Sequence, residues 1–133
     1  MPVLTIQSVQ SQLEVALEAA GVTVAFSRKL SDDDYGRYIM DKKIILINHL
    51  LAGNDEEVLA QTAHEAVHYL QLEKGILIGE LSPIHWHSKL TQTEFDLIEE
   101  VVKEQYPEEE WKYEIPAWSL QYEPLKVLEL LTN

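Results

Sequence analysis

The feature that most constrains this chain is a stretch of about twenty residues punctuated as a helix at both ends. Asn54 stands three residues before Glu57, a pairing that caps a helix N-terminus, and Gly75 closes the stretch as a left-handed cap does. The spacing predicts a helix from Asp55 to Glu73. Within it lies His64-Glu65-Ala66-Val67-His68. Four residues advance a helix by about 6 Å and turn it by about 400°, so the two imidazoles leave one side, one turn apart, and can hold one metal ion. Glu65, displaced by one residue, sits where a carboxylate can reach a water on that ion without being a ligand. Leu59, Ala63, Ala66, Val67 and Leu70 share the apolar side, while Gln61, His64, Glu65 and His68 share the other. That division predicts a pentapeptide facing a cleft rather than the interior.

Around this helix the pattern predicts α+β architecture in one domain spanning 1–133. Ser8 to Ala20 repeats apolar residues at Val9, Leu13, Ala16, Leu17 and Ala20, one helical face, and Gly21 stops it. Val22 to Phe26 reads as a strand. Arg37 to Met40 and Ile44 to Asn48 read as a hairpin turning at Asp41-Lys42-Lys43. Ser31-Asp32-Asp33-Asp34 lacks the glycine turn and distal Glu of a calcium loop and reads as a solvated break. Residues 76–93 show no periodicity and read as a long loop or small hairpin. Helical patterns return at Thr93 to Gln105 and at Glu108 to about Tyr122, where Pro116 implies a helix that begins or bends nearby. A last turn or two follows from Pro124 to Leu131.

Composition narrows the chemistry. The chain has 133 residues and no Cys, which leaves His and carboxylates as the strong metal ligands and removes thiol nucleophiles and disulfides. A formal net charge of −13 repels nucleic-acid phosphates and anionic lipid and favours cationic partners. No apolar run is long enough to span a bilayer and no secretion signal is evident, so a cytoplasmic location is expected. The acidity alone would also suit a DNA mimic, but that reading leaves the pentapeptide unexplained.

A catalytic site of this kind needs a third protein ligand. His85, His87, Glu94, Glu99, Glu100 and Glu114 are the downstream candidates. The order of hairpin strands, HExxH helix and Glu114-Ile115-Pro116-Ala117-Trp118 resembles the small HExxH zinc metallopeptidases of the gluzincin type, including minimal gluzincins and ImmA/IrrE-like proteins. That resemblance implies a compact zincin-like fold: an N-terminal helix, a small sheet, the HExxH helix and a later helix whose glutamate completes the metal shell. It points to Glu114 as that ligand. Ala117 would let two helices approach, and Trp118 and Gln121 continue the same face.

The resemblance further implies a zinc-dependent peptidase, with Zn²⁺ on His64, His68 and Glu114 and with Glu65 as general base. An edge strand, Tyr38–Met40 or Ile44–Asn48, would bind an extended peptide or protein substrate by backbone pairing. Peptide deformylase uses the same helix motif but needs a cysteine ligand, which is absent. The competing expectation is a zinc-stabilised regulatory module that docks on a protein partner without cutting it. His85-Trp86-His87 could close over the cleft, though loop residues anchored by Trp86 are the simpler reading, and His49 reads as structural. Tyr106 or Tyr113 could donate to an oxyanion, although a partly buried tyrosine is commonly no more than that.

Overall fold

In the computed structural model, which describes residues 5–79 and 90–133, five α-helices surround a three-stranded sheet. The expected α+β class holds. Helix α1 (Ile6–Ala19) starts at Thr5, whose side chain accepts from the Ser8 amide, and buries Val9, Leu13 and Leu17, one residue per turn. Gly21, at φ 87°, turns the chain into β1 (Thr23–Ser27). Strands β2 (Gly36–Ile39) and β3 (Ile44–Asn48) form the expected antiparallel hairpin, with Tyr38 opposite Ile45.

The sheet order is β1-β3-β2, and β3 pairs in parallel with β1. Ile44–Asn48 is therefore the central strand, hydrogen-bonded on both sides, and the expectation that it might offer a free edge is corrected. Among the described residues β2 is the edge strand that borders the cleft. Ile45 and Ile47 point from β3 into the core, where they meet Val22, Leu13, Leu17, Ala63, Val67 and Leu70 in one continuous cluster.

Helix α2 (Asp55–Lys74) runs as expected from its Asn54 cap to Gly75 at φ 67°. Its predicted two-sided character does not hold. Every residue from Leu59 to Val67 is buried, because α1, α4, α5 and the sheet pack around it; the pentapeptide lies in a cleft cut into the interior. Helix α3 (Gln92–Gln105) opens with a reciprocal capping box between Thr91 and Glu94.

A 3₁₀ turn at Glu108–Glu110 leads into α4 (Trp111–Leu120), followed by α5 (Pro124–Thr132) with proline in its first turn. Pro116 thus lies inside α4, not at its start. Its missing amide would have paired with the Lys112 carbonyl; the Gly79 amide donates to that oxygen instead, at 2.8 Å.

Candidate metal centre

His64 and His68, one turn apart on α2, have ring centroids 4.9 Å apart. Each ring is oriented by a glutamine. Gln71 Nε2 donates to the carbonyls of Leu77 and Tyr113, both at 2.9 Å, which fixes the amide so that its Oε1 accepts from His68 Nδ1, also at 2.9 Å. Gln121 Oε1 accepts from His64 Nδ1 at 2.7 Å. With both Nδ1 protons committed, both Nε2 atoms are presented for a cation.

Both Nε2 atoms converge on Glu114. Its Oε1 lies 3.2 Å from His64 Nε2 and its Oε2 lies 3.0 Å from His68 Nε2. The two contacts go to different oxygens and are hydrogen-bond distances, while imidazole and carboxylate are the donor types that a metal ion takes. Burial pushes the Glu114 carboxyl up, but hydrogen bonds and charge from His64 and His68 outweigh it and hold the group at about 2. For His68, burial disfavours the charged ring, yet Glu114 and Glu65 prevail and raise it to about 9. Imidazole and carboxylate are thus held together by charge-assisted hydrogen bonds.

Glu65 lies on the same helix and is only 5% exposed. Burial, opposed by the two imidazoles, raises its carboxyl above the usual carboxylate range. It makes no side-chain hydrogen bond among the described residues. One ligand atom from each of His64, Glu65 and His68 lies within 4.8 Å of the others, a His–Glu–His group that could hold a metal ion. Glu114 is the carboxylate in contact with both Nε2 atoms, whereas Glu65 adjoins the pair from the side of β2.

These residues line a cleft of about 890 Å³ between β2 and α2 on one side and the α3–α4 junction on the other. Tyr106, at that junction, accepts from Trp118 Nε1 at 3.3 Å, and Trp118 stands edge-on to His64. Tyr113 lines the cleft as well. Asp33 and Asp34, expected to be merely solvated, also line it, because Asn48 Nδ2 donates to the Ser31 and Asp34 carbonyls and draws that loop inward. Arg37, the one Arg or Lys of the lining among the described residues, is bound to Asp34 at 2.6 Å.

Of the other third-ligand candidates, Glu94 is spent on the α3 cap, Glu99 pairs with Lys103, and neither these nor Glu100 lines the cleft. His85 and His87 lie outside the described residues, as does Trp86. His49 sits in a 3₁₀ turn and does not line the cleft.

Sequence reasoning placed Gln121 on the right face but missed Gln71 and Gly36. Gln71 was within reach, being seven residues after His64 on the same helical face. Among the described residues no helix is long and apolar enough to cross a membrane. No protein-family model matches the chain, nor does any curated protein or solved structure, so the gluzincin resemblance rests on the motifs themselves.

Proposed function

We propose that the protein is a zinc-dependent peptidase in which His64, His68 and Glu114 hold the ion and Glu65 is the general base. One observation carries this reading: two Nε2 atoms presented by glutamine-bound imidazoles meet one carboxylate, beside a second, buried carboxylate without a hydrogen bond of its own among the described residues. A zinc ion in such a site supplies Lewis acidity toward water and a carbonyl. The chain's own residues supply the rest. Glu65, made more basic by burial, takes a proton from the attacking water and delivers it to the leaving amine nitrogen. Gln71 and Gln121 keep both imidazoles from rotating meanwhile.

A peptide substrate is favoured by β2. The Asn48 amide donates to the Tyr35 carbonyl, so Gly36–Ile47 and Tyr38–Ile45 are the non-hydrogen-bonded pairs of the β2–β3 ladder. The amides and carbonyls of Gly36 and Tyr38 therefore point away from β3, along an edge that no strand among the described residues covers, and both residues line the cleft. An extended chain can pair there. Asp33 and Glu110 in the lining favour a basic one, Asp34 being paired with Arg37.

The test is metal analysis of protein purified without added metal, followed by incubation with a mixed-sequence peptide pool read by mass spectrometry. About one zinc per chain and chelator-sensitive hydrolysis are expected. His64→Ala should lose the zinc, and Glu65→Gln should keep it while turnover falls about 10²–10⁴-fold. Absence of zinc, or hydrolysis indifferent to Glu65→Gln, refutes the proposal. Zinc without hydrolysis supports the regulatory module instead.

A further inference from the structure

Gly36 stands apart from the other four glycines. Gly21, Gly53, Gly75 and Gly79 all have positive φ, where a side chain strains the backbone. Gly36 does not, so its backbone conformation suits any residue. What it lacks is room. A Cβ at this position would stand 3.3 Å from Glu65 Cγ, 3.4 Å from Glu65 Oε2 and 3.3 Å from the Leu46 carbonyl oxygen. The two 3.3 Å separations are tighter than ordinary contact, and the Leu46 oxygen is backbone of the central strand, which yields less readily than a side chain.

Glu65 therefore rests directly against the β2 backbone. Without a side-chain hydrogen bond among the described residues, its carboxylate is oriented by packing, and Gly36 is the wall it packs on. The same residue turns its own amide and carbonyl away from β3 at the edge that borders the cleft.

We infer that Gly36 is a positioning residue: its absent side chain is the space that holds the Glu65 carboxylate beside the strand edge, so that the peptide bond docked at Gly36 is the one cleaved. The register assignment rests on the peptidase reading; the packing assignment does not.

Two measurements test it. The first is a thermal-unfolding cycle in chelator with the parent, Gly36→Ala, Glu65→Ala and the double variant. Gly36→Ala should lower the midpoint clearly when Glu65 is present and much less when it is Ala, the residual loss coming from Leu46. Equal lowering in both backgrounds overturns the packing assignment, whether or not the protein turns over any peptide.

The second uses zinc-loaded protein and the peptide pool. Gly36→Ala should retain zinc and KM while kcat falls about 10-fold, the effect of displacing a reacting group by a few tenths of an ångström. A rise in KM with kcat unchanged, or loss of the zinc, overturns the positioning role. If Glu65→Gln abolishes turnover but Gly36→Ala leaves kcat intact, the peptidase reading stands and this inference falls. If the parent cleaves nothing, the register assignment falls with that reading, and the unfolding cycle alone decides the packing.

Discussion

Replacing Gln71 by Leu removes one side chain that serves three partners: the His68 ring through Nδ1–H, the Leu77 carbonyl and the Tyr113 carbonyl. Gln71 is 2% exposed, so water does not readily take its place. A buried polar group left without its bond costs about 1–3 kcal/mol; three such groups, partly relaxed, imply a loss of about 3–6 kcal/mol in urea unfolding of chelator-treated protein. The consequence for the proposed zinc site is separable. A ligand ring freed to rotate, on a centre whose Glu114-bearing helix has also lost its tie, should lose about 10–100-fold in zinc affinity. Chelator competition on the folded fraction measures it. Gln121→Leu is the internal control, because it unties His64 alone and should cost only about 1–3 kcal/mol. Zinc affinity of Gln71→Leu within twofold of the parent, or a stability loss no greater than that of Gln121→Leu, would refute the argument that Gln71 braces two ligands together.

The chelator-treated protein should be most stable between about pH 4.5 and 6.5. Glu114, held at about 2 against an ordinary 4.5, contributes stability that is complete above 4.5 and fades as pH falls through 2. His68, raised from 6.5 to about 9, contributes stability that is complete below 6.5 and fades as pH rises through 9. Glu114→Gln should blunt both limbs of the midpoint-versus-pH curve, and a curve unaltered by it would be the wrong one. Asn54→Ala removes the α2 cap, a long bond of 3.3 Å to the Glu57 amide, and should cost about 0.5–1 kcal/mol with zinc affinity nearly unchanged. A loss of zinc binding in that variant would mean that the site depends on the far end of its helix.

What the sequence disclosed was local. Helix α2 was legible because its cap, its closing glycine and its two histidines all lie within one stretch, where spacing is geometry. The hairpin was legible from the isoleucine-rich run Ile44-Ile45-Leu46-Ile47. Sheet order was not, because whether β2 or β3 lies at the edge depends on β1 pairing with β3 across the intervening strand, a long-range choice with no local mark. Gly36 was passed over since glycine weakens a strand on propensity, and its reason for being there is a neighbour on another element. Pro116 misdirected the reading of α4 in a similar way: the partner for the orphaned Lys112 carbonyl is Gly79, far back in the chain. Glu114 itself was singled out through resemblance; spacing left several acids equivalent.

His64 and Glu114 are separated by fifty positions, whereas the two imidazoles are separated by a single turn. A nascent chain could thus present a bidentate chelate as soon as α2 coils, long before the rest of the centre arrives. An ion caught early would reward the later docking of α4 and offset part of the entropy of closing the intervening loop. Metal supplied during refolding should then hasten the final step, and the same ion added afterwards should only slow the reverse.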